Sequence, residues 1–333
     1  MPRAESSIDW DGSVTLTLRA VEVDPQTWDG SDELGTVVGA GVSRDSSTPL
    51  VESGSLTLEG VGLPDEETWV RIEALAVQDG AFERHPVATL LMQPAPTTVR
   101  RGTESMTMDG CSVLAPAADR VLLAGESVSA LADAAGAAAG LIAECTPAPV
   151  SADGSFRLAE PMVFAAGTSH LEAAQQLVDA AGWCIQVECD GSVHVRPKPT
   201  TAAVEIGPQT VGTSVEVGRA DGVRPNRYIA VDGTQMATAV LGDPERYVDE
   251  YDDAPKPVGG ESLKEYAERM LAERNAYSGT RGYSRPWVPG ITVHDLAHGA
   301  VPAAMLDGDM RIARQSLEFG KGITVNEECE VLA

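Results

Sequence analysis

Alternation of apolar and polar residues dominates roughly the first 115 positions of the chain. In residues 14–23, Val14, Leu16 and Leu18 share one face of a predicted strand, and the intervening positions are polar. Runs of similar character follow at 53–60, 69–77 and 87–93. Asp-Gly pairs separate many of these runs, and both residues tolerate the positive φ of a type I′ turn. This pattern predicts short strands joined by tight turns, as in a barrel or sandwich.

The middle of the chain, residues 116–200, changes to helical periodicity. Residues 126–144 are rich in alanine and predict a helix. A second helix is predicted after Ser169, which forms a capping box with Glu172, and it ends at Gly182. Two β-like runs separated by an Asp-Gly turn follow directly. We therefore expect a helix followed by a hairpin.

Residues 201–333 return to β character around one helix. The helix is predicted at 262–276, where Ser262 and Glu265 form a second capping box. Strand candidates lie at 211–218, 227–232 and 235–241. The chain then closes with two strands around the turn Gly320-Lys321-Gly322.

Composition limits the classes of function. The chain has 24 basic and 50 acidic residues, for a formal net charge of -26. This balance argues against a protein that grips nucleic-acid phosphates and against docking on an anionic membrane. We find no run of about 18 apolar residues and no apolar core in the first twelve, so we expect neither a spanning segment nor a secretory signal.

The cysteines give no metal or redox motif. The five of them are scattered without a C-x-x-C pair, so we expect free thiols rather than a zinc site or a thioredoxin-like pair. The aromatic fraction is only 5%, so the core must be built from Val, Leu, Ile and Ala.

One glycine-rich segment imitates a dinucleotide-binding fingerprint. Gly39 and Gly41 follow a β-like run, but Arg44 stands where the third glycine is required. The segment that follows contains Pro49 and is too short for a crossover helix. We interpret the segment as a hairpin with glycines at its turn.

A histidine pair imitates a zinc site. His294 and His298 have the i,i+4 spacing of a metalloprotease helix, but Pro289-Gly290 precede them and Gly299 follows, which disfavours a helix. We expect no metal and no cofactor. With no P-loop and no G-x-S-x-G elbow either, the residues indicate a non-enzymatic β-rich scaffold.

The segment around residues 281–287 is a candidate for subunit contact. It is aromatic, contains arginine and is stiffened by proline, a composition enriched at interface cores. The candidate interface residues are Arg281, Tyr283, Arg285 and Trp287. The alternative is an ordinary strand packed within its own barrel.

Three stretches, 167–197, 224–233 and 267–333, resemble the tail-hub family of long-tailed bacteriophages and related injection machines. The resemblance implies an α+β, β-rich fold with two tube-like β-barrel domains and small α/β modules between or beside them. The implied domains are 1–115, 116–200, and 201–333 with the inserted helix. The family's role is architectural, so no catalytic residue is transferred to this chain.

The resemblance also implies partners and a location. We expect a homotrimeric ring in the virion tail, assembled in the host cytoplasm, with a tail-tube or distal tail protein above and a spike or tip protein below. DNA would pass without specific binding, and an acidic lumen would keep it from sticking. Acidity that only serves solubility is the other interpretation. The competing class is a carbohydrate-binding or cell-wall-degrading component of an exported particle, and a dinucleotide enzyme is a weaker third.

Overall fold

Strands make up 50% of the structure and helices 14% in this computed structural model. It describes residues 6–10, 12–60, 67–93, 97–100, 103–212, 214–219, 224–320 and 322–333. Within these ranges the regular structure consists of one large sheet, three small sheets and a few helices, so the predicted α+β, β-rich class is confirmed. No helix in the described part is long and apolar enough to cross a membrane.

The first part of the chain forms strands where alternation predicts them. They are β1 Thr15–Val23, β2 Gly30–Glu33, β3 Thr36–Asp45, β4 Glu52–Glu59, β5 Thr68–Gln78, β6 Ala81–Met92, β7 Thr97–Arg100 and β8 Thr103–Ser112. Asp79 and Gly80 join β5 to β6 with φ of 49° and 86°, as expected for a type I′ turn. Gly110 instead lies inside β8, so an Asp-Gly pair alone does not identify a turn.

The glycine-rich segment is a strand, not a turn. Gly39 and Gly41 lie within β3, which pairs with β4, and the connection between the two strands comes later, at residues 46–51. The prediction of a hairpin with its turn at these glycines is therefore wrong. The alternation continues through both positions, since Val42 and Arg44 are buried while Ser43 between them is exposed.

The middle of the chain combines helices with short strands. They are α1 Ala115–Asp119, β9 Glu126–Val128, α2 Ala134–Ala143, β10 Val150–Ala152, β11 Met162–Phe164, α3 His170–Ala180, β12 Trp183–Val187 and β13 Val193–Pro197. The predicted helix and hairpin are confirmed: Ser169 Oγ accepts from the Glu172 N–H at 3.0 Å, and β12 pairs with β13.

The helix predicted over 126–144 is wrong in its first half. It begins only at Ala134, where the side chain of Asp133 accepts a hydrogen bond from the Ala135 N–H. Residues 126–128 form β9, which pairs antiparallel with β11. That partner is more than 30 residues away in the sequence, so helix propensity loses to a distant strand pairing.

The last part of the chain contains strands on both sides of one helix. The elements are β14 Ala202–Ile206, β15 Val215–Arg219, β16 Arg227–Asp232, β17 Gln235–Val240, β18 Asp249–Asp252, α4 Leu263–Arg274, β19 Tyr277–Pro286, β20 Leu296–Val301, a 3₁₀ turn Pro302–Ala304, β21 Leu306–Phe319 and β22 Ile323–Leu332. The predicted capping box at Ser262 and Glu265 is present, and both of its hydrogen bonds form.

One sheet of 14 strands joins the two ends of the chain. Its main path runs β15-β19-β22-β21-β3-β4-β8-β6-β5-β1-β2. The two halves meet where β3 pairs antiparallel with β21, from Asp45 opposite Arg314 to Gly41 opposite Glu318. Among the described strands no barrel closes, so the two tube-like barrels implied by the resemblance are not confirmed.

A hydrophobic core crosses this join. Leu56, Ile72 and Leu90 from the first half pack in the same cluster as Trp287 and Leu317 from the second half. A second cluster lies under α2 and α3, and a smaller one lies between α4 and the sheet β17-β16-β18. The two halves of the large sheet are therefore held by shared apolar burial as well as by backbone pairing.

Close packing of β4 against its neighbours gives a testable consequence. A Cβ at Gly54 would lie 2.6 Å from the Gly41 carbonyl oxygen and 2.7 Å from Leu90 Cδ1. We expect Gly54→Ala to lower the free energy of unfolding by about 2 kcal/mol, because the added methyl group would overpack the core. Urea unfolding measures the change.

Gly140 supplies the matched control. It lies inside α2, and a Cβ there would have nothing within 4 Å. Gly140→Ala should stabilise the protein by up to about 1 kcal/mol, since alanine is the better helix former. Equal effects of the two substitutions would contradict the packing explanation.

Candidate functional surface

The most deeply buried charges lie at the join between the two halves of the sheet. Arg44 on β3 donates from Nε to Glu52 Oε1 on β4 at 2.7 Å, and from Nη1 to Gln315 Oε1 on β21 at 3.3 Å. The side chains of Arg44 and Glu52 are 2% and 1% exposed. Burial raises the pKa of the Glu52 carboxyl, and its pairing with Arg44 opposes that rise.

The hydrogen-bonded chain continues across the second half of the sheet. Gln315 Nε2 donates to Glu327 Oε1 at 2.8 Å, and Glu327 accepts from both Nε and Nη2 of Arg285, at 3.0 and 2.6 Å. Glu52, Arg44, Gln315, Glu327 and Arg285 therefore form a continuous buried network. We call it the junction network, and it crosses five neighbouring strands: β4, β3, β21, β22 and β19.

The hairpin β12–β13, which follows α3, reaches the same buried region. The Cys189 thiol, beyond the end of β12, lies 3.8 Å from Arg44 Nη2. Gln186 Nε2 donates to Asp295 Oδ1 at 3.1 Å, while Arg196 Nε donates to Gln186 Oε1 at 2.9 Å. Burial raises the pKa of the Asp295 carboxyl. All three parts of the chain thus contribute polar groups to one buried region.

The opposite face of these strands is open and carries small polar side chains. Because residues alternate between faces, each residue next to a member of the junction network along its strand points outward. We call this surface the polar face. Its residues are Ser43, Asp45, Ser53, Ser55, Thr57, Glu59, Thr107, Asp109, Glu216, Gly282, Ser284, Arg314, Ser316, Glu318, Thr324, Asn326 and Glu328.

The polar face is acidic and shallow. Of the residues that define it, six are carboxylates and one is an arginine. Arg314 pairs with Asp45 at 2.9 Å and Glu328 at 3.0 Å, so its charge is already shared between two acids. A groove of about 670 Å³ follows β3, β21, β22, β19 and β15 across this face. An acidic groove with short side chains repels polyanions and presents few features that could hold one.

Three of the four candidate interface residues lie inside the protomer. Tyr283, Arg285 and Trp287 are buried, and Arg285 belongs to the junction network. Trp287 packs edge-to-face on Trp10, with ring centroids 5.6 Å apart. These positions support the alternative interpretation of a strand packed within its own protomer.

Arg281, the fourth candidate, lies nearer the surface. Its Nε donates to the Met305 carbonyl oxygen at 2.7 Å, and Nη1 lies 3.4 Å from the Gly218 carbonyl oxygen on strand β15. A contact with another subunit at this segment stays a prediction.

The sequence reasoning missed the junction network, although a signal for it exists. From the sequence, Arg44 was considered only as the residue at the third-glycine position of a dinucleotide fingerprint. Gln315 and Glu327 were not among the candidate residues. Arg44 occupies the same inward phase of its strand as Val42, and Glu52 shares the phase of Leu56. Charged residues at core-facing positions of two adjacent predicted strands indicate a buried ion pair.

The histidine pair is not arranged as a metal site. His294 precedes β20 with φ of 73°, and His298 lies on β20 with Nδ1 2.7 Å from Asp309 Oδ1. The two therefore do not share a helix face. No group of three or more metal-ligating side chains occurs among the described residues. All five cysteines are free, as predicted.

Another cluster has the outline of a catalytic triad. His194 Nδ1 lies 2.9 Å from Asp153 Oδ2, and His194 Nε2 lies 3.4 Å from Ser192 Oγ. The hydroxyl of Ser192, however, lies 2.6 Å from Asp190 Oδ1, to which it can donate. The N–H groups of Ser192 and Val193 donate to Asp190 and to the carbonyl of Pro149, so neither is free to stabilise an oxyanion. The cluster orders a surface turn.

Comparison with solved structures places the fold. A tail protein from Neisseria meningitidis MC58 aligns with a TM-score of 0.68 at 11% identity, over 95% of this chain and 96% of that one. The 43 kDa tail protein of prophage MuSo2 from Shewanella oneidensis aligns at 0.67 and 12%, over 96% and 100%.

A more distant likeness extends to secretion machinery. An E. coli component of the type VI secretion system, described as similar to phage T4 tail proteins, aligns at 0.54 and 7%, over 89% of this chain and 73% of that one. These structural alignments show that the chain has the fold of phage tail proteins. No protein-family model and no curated protein matches the chain.

The junction network predicts a large effect of removing one charge. We expect Arg44→Met to lower the free energy of unfolding by about 3–5 kcal/mol, because Glu52 is left buried without its partner. Arg314→Met on the polar face is the control. Its ion pairs are exposed to water, so the loss should be below about 1 kcal/mol. Urea unfolding compares the two, and similar losses would contradict the assigned role of the network.

His294 predicts a pH dependence of stability. Burial lowers the pKa of its imidazole to about 4. The pKa of a histidine in the unfolded chain is about 6.5. As the pH drops below that value, the unfolded chain binds a proton that the folded chain does not, so this residue lowers stability as the pH decreases. Asn tolerates the positive φ and does not titrate, so His294→Asn should gain stability relative to wild type between about pH 7 and about pH 5. Parallel pH profiles in urea unfolding would exclude this contribution.

Proposed function

We propose that this chain is the hub of a phage-type tail. Three copies form a ring that caps the tail tube, joins it to a spike or tip protein, and lets DNA pass. Residues 1–115 and 201–333 supply the two tube-like parts, and residues 116–200 form the module between them. The fold shared with tail proteins over at least 95% of the chain supports a structural, non-enzymatic role.

The polar face carries the part of the proposal that concerns DNA. A channel wall must not bind the phosphates that slide along it, and affinity for DNA comes chiefly from lysine and arginine contacts. The polar face offers one arginine against six carboxylates, and that arginine is held in two ion pairs. Three copies around an axis would add their negative fields in the lumen.

The open ends of the sheet support ring formation. Among the described strands the main path ends at β15 on one side and β2 on the other. A free edge strand presents unpaired N–H and C=O groups, and head-to-tail pairing of unlike edges generates rings when the rotation closes. A ring of copies would also cover edges that otherwise promote aggregation.

The acidic groove gives the carbohydrate alternative little support. Sugar-binding clefts combine carboxylates with exposed aromatic platforms, and the acidic groove has Tyr283 as its aromatic lining residue among the described positions. Tyr283 is buried, and its hydroxyl lies 3.4 Å from the Cys329 thiol. We therefore retain the hub as the proposed function.

Native mass measurement followed by negative-stain imaging tests the ring directly. We expect a closed threefold ring with an open centre. A protein that stays monomeric when mixed with tail-tube and spike proteins would contradict the proposal, as would hydrolysis of cell-wall polysaccharide by the purified chain.

Charge reversal on the polar face tests the conduit. Wild type should fail to retain duplex DNA at low salt, whereas a variant with Asp109, Glu216 and Glu318 replaced by Lys should retain it, because phosphate contacts then become available. The retention is measured by filter binding across a salt series.

The control for charge reversal changes the net charge equally elsewhere. Glu160, Glu245 and Glu268 are exposed and lie outside the polar face, so replacing these three by Lys should leave retention weak. Equal retention by the two variants would show that net charge alone governs DNA binding, and tight retention by wild type would reject the conduit.

A further inference from the structure

A small two-stranded ribbon lies in the middle part of the chain. Residues 121–128 run antiparallel to residues 162–169, with Ser127 opposite Val163 in the β9–β11 pair and an isolated bridge from Val121 to Ser169. Met162 and Phe164 point into the core, so Val163 between them and the residues of the same phase on the paired strand face solvent.

Large aliphatic side chains occupy the solvent side of this ribbon. Leu123 is 94% exposed, Leu131, three residues beyond β9, is 80% exposed, and Val163 is 72% exposed. Small residues close to them in the sequence are also exposed: Ala124, Gly125, Ala165, Ala166 and Gly167. Exposed leucines in isolation are ordinary, but several exposed apolar residues on and next to one short ribbon indicate an interaction surface.

The same surface is almost free of charge. The twelve residues 121–132 and the eight residues 161–168 contain a single charged residue, Glu126. Charged residues make up 22% of the chain, so about four would be expected in a stretch of this length. Depletion of charge together with exposed aliphatic side chains is the composition of a protein interface core.

We infer that the ribbon surface, defined by residues 121–132 and 161–168, is covered by a second copy of this chain. Two copies that each carry a net charge of -26 repel wherever their acidic surfaces meet. They can approach closely only where charge is sparse, as it is here. A partner attracted by charge would instead bind the acidic surface. This inference rests on the proposed ring and assigns one of its subunit contacts.

Sedimentation velocity of the full chain over a concentration series tests the contact. We expect wild type to trimerise and Leu123→Asp to weaken association at least about tenfold, because the carboxylate would be buried at the contact. Leu123→Ser/Leu131→Ser/Val163→Ser should weaken it further. Since Leu123 is almost fully exposed, its replacement leaves the protomer fold intact, which circular dichroism and a thermal melt check.

A matched control comes from the β5–β6 hairpin. Val77 and Phe82 face each other across the strands and are 43% and 54% exposed. Val77→Ser/Phe82→Ser removes exposed apolar surface outside the ribbon surface and should leave the trimer unchanged.

The outcomes separate this inference from the proposed function. A trimer that keeps its wild-type association constant in both ribbon variants overturns the ribbon contact and leaves the hub proposal standing. Equal weakening by the control variant overturns it too, because the effect would not be specific to the ribbon surface. A wild type that stays monomeric at every concentration overturns the ribbon contact and also removes the ring in the absence of other tail proteins.

Discussion

The junction network constrains how the two halves of this protein can meet. Removing a charged group from water costs several kcal/mol unless it is paired and hydrogen-bonded. Arg44 must therefore lie opposite Glu52 and Gln315 at once, and Glu327 must meet both Gln315 and Arg285. A slip of one residue between β3 and β21 would turn the buried charges outward and bring polar-face residues into the core. The register of the join follows from this requirement.

The outer surface follows from the same constraint. The inward positions are occupied by the junction network and by apolar residues. Because side chains alternate between the two faces of a strand, the positions between them form the polar face. In the proposed function, this face with its acidic side chains is the wall that DNA passes without being bound. The buried ion pairs and the acidic groove thus lie on opposite faces of the same paired strands, and the proposed function depends on both.

Local signals predicted the elements that depend on neighbours in sequence. The capping residues Ser169 and Ser262 mark helix starts that the structure confirms, and β12 and β13 form the predicted hairpin. Predictions failed where the deciding partner is remote. Residues 126–128 are strand because β11 pairs with them. Gly39 and Gly41 lie mid-strand because β4 pairs with both of them and β21 pairs with Gly41.

By itself, the sequence determined the β-rich class, the capped helices, the free cysteines and the large negative charge, because each is set by composition or by residues within a few positions of one another. Tertiary structure alone decided that the first and last parts of the chain share one sheet, that Trp287 and Arg285 are buried, and that the ribbon surface is exposed. These features depend on contacts between residues such as Arg44 and Gln315, 271 positions apart, and on cancellation between desolvation and pairing that no local pattern records.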